Sequence, residues 1–401
     1  MTMTVPWQRQ IEESIEAVLP EVVRLRHRVH QHPELAMQET ATAALVREVL
    51  AELGLEPRPP LLGTDVIAMM EGARPGPNVT LRADMDALPL QECTGVAYAS
   101  ECPGVMHACG HDGHTAMLLG AAMVLSRLRS RFRGSVRLVF QPGEEVVAAG
   151  RDLVAAGALR EPSPVAAVAL HGWPGGPLGT ISSRPGPIMA AAEFFRVVIH
   201  GRGGHGSRPE GCVDPILVAA RVIDGMQAVV AREISPLAAA VVSVCRVSAG
   251  TNSNIIPDRA ELEGTTRSLD RAVQERLPVL MERLVKGICD SLGAGYEFHY
   301  RSAYIPTVND AAVVARGRAV AMALGGPDAW RDLAEPVMGG EDFAFYLREC
   351  PGAMFFLGLG EDHAALHQAG FDFPDEALRH GIAFLVGSAL ATLADRPVTG
   401  P

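Results

Sequence analysis

Three short apolar runs in the first half of the chain end in residues able to bind a metal or move a proton. That recurrence constrains the fold more than any other feature. Asn78-Val79-Thr80-Leu81-Arg82 runs into Asp84 and Asp86, and Ser135-Val136-Arg137-Leu138-Val139-Phe140 runs into Gln141-Pro142-Gly143-Glu144-Glu145. Ala166-Ala167-Val168-Ala169-Leu170 stops at His171. With the run over 65–70, these read as strands, because Gly and Pro bound them. Helical patterns alternate with them, over 11–30, 41–53, 115–128 and 149–157, with Pro33 breaking between the first two. A β-α-β alternation predicts an α/β fold with a mostly parallel mixed sheet and helices on both faces. Open sheets of this kind carry their sites at the C-terminal ends of the strands.

From about Pro187 the texture changes. Strand, helix, two strands, helix and strand follow over 193–302, a compact α+β unit of domain size. After Pro306 the first texture resumes. The expected organisation is a larger domain from 1–186 and 304–401 with a smaller unit, 187–303, inserted into it. The 401 residues are 48% hydrophobic, enough for such cores. A net charge of −11 without basic runs argues against nucleic acid as a partner. Met1–Gln10 lacks the pattern of a signal peptide, and the apolar stretch 382–394 is too short to span a bilayer. Seven scattered cysteines form no disulfide framework, so a cytoplasmic protein without membrane partners is expected.

The densest chemistry lies in Val105-Met106-His107-Ala108-Cys109-Gly110-His111-Asp112-Gly113-His114. Cys109 and His111 can converge on one ion from a turn, and thiolate with imidazole suits Zn²⁺ or a similar metal. Taken alone, this Cys-x-His reads as a buried thiol beside helix-capping residues. His171 and His367 alone read as core or loop histidines, and Asp84 and Asp86 as loop caps. Their weight comes from the set Cys109, His111, Glu145, His171 and His367, whose scatter along the chain favours a catalytic pocket over a closed structural site. Adjacent carboxylates at Glu144 and Glu145 let one bind metal while the other exchanges a proton with water.

Several segments together resemble the metallo-amidohydrolases that include hippurate hydrolase, the plant indole-acetyl-amino-acid hydrolases, and relatives of aminoacylase and zinc carboxypeptidases. They are Arg82–Pro89, Met106–His114, Phe140–Glu145, Gly201-Arg202-Gly203-Gly204-His205, Asn254–Asp258, Gly264–Ser268, Gly340-Glu341-Asp342-Phe343, Leu366-His367 and Phe371-Asp372-Phe373. The resemblance implies two divalent ions (Zn, Mn, Co or Ni) held by Cys109, His111, Glu145, His171 and His367. It implies Glu144 as general base, Asp86 orienting a ligand imidazole, His205 at the oxyanion, and Asn254 and Arg267 on the substrate's carboxylate or acyl group. It makes the inserted unit a lid through which a homodimer, or an oligomer built from dimers, forms.

The expected reaction is hydrolysis of an N-acyl amino acid or related small amide by metal-bound hydroxide. Dipeptidase, carboxypeptidase or N-carbamoyl hydrolase activity on the same site is the alternative, and a catalytically silent metal- or ligand-binding protein is the rival from another class. By itself Arg267 could simply pair with Glu261 or Glu263, and His205 follows a Gly-rich turn that needs no function. Glu210, Gly143 and Pro374 depart from the residues frequent in the family; none removes a ligand or the base.

Overall fold

The computed structural model describes residues 8–394, so the reading of Met1–Gln10 falls largely outside it. The chain forms two compact units. The first comprises Val308–Glu335 and the described parts of Met1–Gly186 and Asp342–Pro401; the second comprises Pro187–Thr307 and Pro336–Glu341.

In the first unit seven strands form one sheet, in the order Val66–Glu71, Arg133–Gln141, Arg74–Asp84, Ala166–Trp173, Gly352–Gly358, Ile181–Ser183 and Trp330–Asp332. The four strands from Arg133–Gln141 to Gly352–Gly358 run parallel, and antiparallel pairing begins outside them. Their residues are buried almost throughout, apart from the exposed start of Arg74–Asp84, as in sheets covered by helices. The expected mostly parallel mixed sheet is therefore what forms.

The helix His111–Arg127 packs against Gln8–Gln31 and Asp375–Ala394. Gly120 allows that approach, since a Cβ there would lie 2.5 Å from Cδ1 of Ile382. The helix Asp375–Ala394 is long and apolar enough to cross a membrane, but its side chains lie mostly inside this core. The apolar pattern over 382–394 thus reports burial within the unit.

The second unit is a four-stranded antiparallel sheet, in the order Gly295–Tyr304, Ala191–His200, Arg259–Ser268 and Ala240–Ala249. Helices Pro215–Ala228 and Arg271–Leu292 cover it through Val222, Met226, Leu277 and Met281, against Phe195, Val197 and Leu262. Both helices start at an aspartate. Asp214 accepts from the Ile216 N–H at 2.9 Å and Asp270 from the Ala272 N–H at 2.6 Å, the usual N-cap arrangement.

Candidate metal centre

The centre lies at the C-terminal ends of the strands Arg133–Gln141, Arg74–Asp84 and Ala166–Trp173, which are neighbours in the sheet. Two of its turns begin alike. Gly110, with φ 81, precedes the helix His111–Arg127, and Gly143, with φ 61, precedes the one-turn helix Glu144–Val147. This left-handed region favours glycine, which accounts for Gly143. The first helix begins four residues before the expected 115, because Gly110 turns the chain directly into it. His111 therefore sits in its first turn. The strand Ala166–Trp173 runs three residues past Leu170, so His171 is held by the sheet itself.

Cys109 Sγ lies 3.5 Å from Nε2 of His171. The Nδ1–H of His171 donates to the Gly172 carbonyl at 2.7 Å, leaving the Nε2 lone pair turned to the thiol. Burial, reinforced by His114, holds His171 well below the usual imidazole range. His111 Nδ1 is 3.3 Å from Asp86, and its Nε2 is 3.8 Å from Asp84 and 3.9 Å from Glu145. Although buried, neither ring nitrogen of His111 has a hydrogen-bond partner. Burial works against its protonation, but Asp84, Asp86 and Glu145 outweigh it and raise His111 to about 10. His367, itself at φ 63, brings Nε2 to 3.2 Å from Glu145 Oε1. Burial pushes the Glu145 carboxyl up, yet His367 and His111 hold it below its ordinary value. Burial, then Glu145 and Glu144, push the Cys109 thiol well up.

Three donor groups overlap. Cys109, His111 and His171 form one, Cys109, Glu145 and His367 a second, and His111, Glu144 and Glu145 a third. Within each, the donor atoms lie within 4.8 Å of one another. The unpartnered nitrogens of buried His111 and the thiol–imidazole–carboxylate chemistry fit divalent ions of the zinc type.

Asp84 and His114 also lie within donor distance of His111, but their atoms are engaged. The Nδ1–H of His114 donates to Asp84 at 2.6 Å while its Nε2 accepts the Gly172 N–H at 2.8 Å. Arg82 clamps the other Asp84 oxygen at 2.6 Å and reaches Asp342 at 2.7 Å. These residues brace the centre. Sequence reasoning met Asp84 only as a strand-exit carboxylate and passed over His114, Arg82 and Asp342.

Glu39 is another support that sequence reasoning missed. Three successive amides on the acidic turn end on buried carboxylates. Gly143 N–H donates to Glu39 at 2.9 Å, and the Glu144 and Glu145 N–H groups donate to the two oxygens of Asp86, both at 3.0 Å. Asp86 therefore fixes the carboxylate pair while lying 3.3 Å from His111 Nδ1. Burial, helped by Asp86, pushes the Glu39 carboxyl up. No spacing rule links Glu39 to Gly143, which lies 104 residues away.

The remaining candidates lie in the second unit. His205 and Asn254 are neighbours across a two-residue ribbon, in which Ile255 pairs with His205 and the Gly206 N–H donates to the Asn254 carbonyl at 2.8 Å. Both side chains are exposed. The Ser207 N–H donates to His205 Nδ1 at 3.1 Å, so Nε2 carries the hydrogen and points outward as a donor. Arg267 lies on the strand Arg259–Ser268, half-buried, with Nη1 on the Thr266 carbonyl at 2.9 Å and on the Thr265 hydroxyl. Glu261 pairs with Arg196 and Arg259, and Glu263 with Arg246. Glu210 sits on an exposed turn, Pro209–Gly211.

The chain is 42% identical to an N-acetylcysteine deacetylase of Bacillus subtilis over 360 residues, 89% of this chain and 93% of that protein. It is 42% identical to an N-acyl-L-amino acid amidohydrolase of Geobacillus stearothermophilus over 304 residues, 75% of this chain and 81% of that one. A Bacillus subtilis crystal structure, described as a dinuclear metal binding peptidase from the M20 family, superposes with a TM-score of 0.82. It shares 36% identity, and the match covers 94% of this chain and 99% of that chain. The sequence pattern described as Peptidase family M20/M25/M40 matches residues 80–391, and the chain belongs to that family.

Proposed function

We propose that this protein is a metal-dependent amidohydrolase that cleaves an N-acyl amino acid into a carboxylic acid and an amine, using two divalent ions. One observation carries the reading: the adjacent pair Glu144–Glu145 is fixed through both backbone amides on Asp86, with Glu145 grouped with Cys109 and His367 and Glu144 with His111. The deacetylase and amidohydrolase among its relatives support the substrate class, and the dinuclear relative supports the ion count.

Cys109, His111, Glu145, His171 and His367 would hold the ions. Bound there, divalent ions would polarise the amide carbonyl and bring the pKa of water towards about 7. Glu144 takes the proton from the attacking water and returns it to the departing nitrogen as the C–N bond breaks. His205 donates its Nε2–H to the oxygen on which charge builds, and Asn254 and Arg267 hold the substrate's carboxylate or acyl group. Among the described residues the strands Ala240–Ala249 and Gly295–Tyr304 each pair on one side only, and the protein works as a cytoplasmic homodimer, or an oligomer built from dimers, joined along such an edge.

The test is release of amine from N-acetyl, N-benzoyl and N-carbamoyl amino acids and from dipeptides. The protein is first stripped with a chelator and then reloaded with Zn²⁺, Mn²⁺ or Co²⁺. Metal-dependent cleavage of the N-acyl compounds is expected. Faster cleavage of dipeptides would replace this reading with a peptidase. Binding of every compound without cleavage would replace it with a silent binding protein.

A further inference from the structure

The two residues that follow the acidic pair are Val146 and Val147, and they face outward. Val146 is 55% exposed, Val147 40%, and Met37, on a separate loop, 37%. We propose that Met37, Val146 and Val147 form an apolar shelf beside the carboxylate pair. The shelf receives an uncharged aliphatic or aromatic substituent of the amide substrate, and so determines specificity. The proposal rests on the reading of Glu144 and Glu145 given above.

Val147 and Met37 meet in one patch, and Val146 is the next exposed residue on the same turn. A Cβ placed on Gly143 would come within 2.8 Å of Val147 Cγ2 and 2.9 Å of Met37 Sδ, so both converge over that glycine. Val146 and Val147 complete the single turn that begins with Glu144 and Glu145, only about 5 Å of helix in all. Valine is elsewhere the filling of this unit's sheet, as at Val79, Val136, Val139 and Val168, which are at most 1% exposed. Turned to water directly beside a reaction centre, the same side chain offers apolar contact to whatever enters.

The backbone supports this presentation at a conformational cost. Met37 has φ 65 and Ala148 φ 54, the left-handed region that a Cβ disfavours. With His367, these make three of the four non-glycine residues with positive φ among the described residues, and all three border the centre. Backbone strain of this kind gathers where geometry serves a site. Glu39 fixes both sides of the patch at once, because its Oε1 accepts the N–H of Met37 and the N–H of Gly143, each at 2.9 Å. Its Oε2 accepts the Thr64 hydroxyl at 2.9 Å. The shelf is thus tied down before any substrate arrives. Glu144 and Glu145 next to it disfavour an acidic substituent, which leaves an apolar one as the fitting class.

The test uses metal-loaded Glu144→Gln protein, in which ligands bind without turning over. Calorimetry gives dissociation constants for N-acetylglycine, N-benzoylglycine and N-acetylleucine. The parent protein should bind at least one of the two apolar compounds more tightly than N-acetylglycine. Adding Val146→Ser and Val147→Ser should reduce that preference about tenfold, and Val147→Leu should preserve it. Loss for N-benzoylglycine places the acyl group on the shelf, and loss for N-acetylleucine places the amine's side chain there. Both valines are solvent-facing, so the serine variants should keep the parent's melting temperature. Preferences unchanged within twofold, no preference at all, or no binding overturns the shelf. Undiminished turnover by Glu144→Gln overturns the catalytic reading instead, so the two failures are separable.

Discussion

His171 in the first unit and His205 in the second carry the same ring and present it in opposite senses. In His171 a backbone carbonyl takes the Nδ1 hydrogen, so a lone pair faces Cys109. In His205 a backbone N–H occupies Nδ1, so the outward nitrogen carries the hydrogen. One ring is buried and framed by a strand; the other is exposed on a two-residue ribbon. A single neighbouring peptide group decides whether imidazole acts as an electron-pair donor or a hydrogen-bond donor. The first unit gathers donor atoms that fit a cation, and the exposed His205 of the second offers an N–H instead.

The largest effects should come from the two rings themselves. His171→Ala should lose bound metal and activity together, whereas His205→Ala should lower kcat by about 10²–10³-fold with metal content unchanged. Metal analysis alongside kinetics checks this, and loss of metal from both variants would erase the contrast. The same variant sharpens the dimer proposal. Mixed with Glu144→Ala protein, His205→Ala should recover about a quarter of wild-type activity if a partner subunit delivers the ring. Verified mixed dimers that stay inactive would place His205 in its own chain's site.

A smaller effect is expected one bond further out. Asp86→Asn or Glu39→Ala should weaken metal retention by about 10- to 100-fold, since each loosens the turn that aims Glu145. Competition with a chelator measures it. Equal metal affinity in both variants would mean that the turn holds its shape without them.

An effect on stability alone, with no change at the centre, concerns a third histidine with both nitrogens on carboxylates. His30 Nδ1 is 2.8 Å from Asp112 and its Nε2 3.3 Å from Glu92. Burial opposes its protonation, but Asp112 and Glu92 prevail and raise it to about 9. Its folded value lies above the unfolded one near 6.5. The stabilisation is therefore complete below about pH 6.5 and lost as pH rises through about 9, on the order of 3 kcal/mol. Urea midpoints at pH 6 and pH 9.5 should show this fall, and His30→Gln should flatten it.

Much of the fold was legible because it rests on local pattern. Apolar runs bounded by Gly and Pro marked the buried strands, and amphipathic spacing marked Pro215–Ala228 and Arg271–Leu292 to within about two residues. The donors Cys109, His111 and Glu145 were visible because short motifs carry them. What stayed hidden is the bracing. Arg82 meets Asp342 across 260 residues, and His114 looks like one more ligand until the Gly172 amide is seen on its Nε2. Asp84 and Asp86 share one motif yet part company, one clamped by Arg82, the other capping the acidic turn. Those distinctions depend on which atoms already have partners, and residue types and spacing do not encode that.

The strand Gly352–Gly358 lies between Ala166–Trp173 and Ile181–Ser183, although some 170 residues of chain separate it from them. During synthesis the sheet of the first unit thus keeps an open slot until residues 352–358 emerge, and His367 arrives later still. The intervening unit, whose elements are neighbours in sequence, can mature meanwhile. Emergence of His367 is therefore the event that lets the five donors meet. A nascent or truncated chain would carry the thiol and the carboxylate pair without the geometry for catalysis.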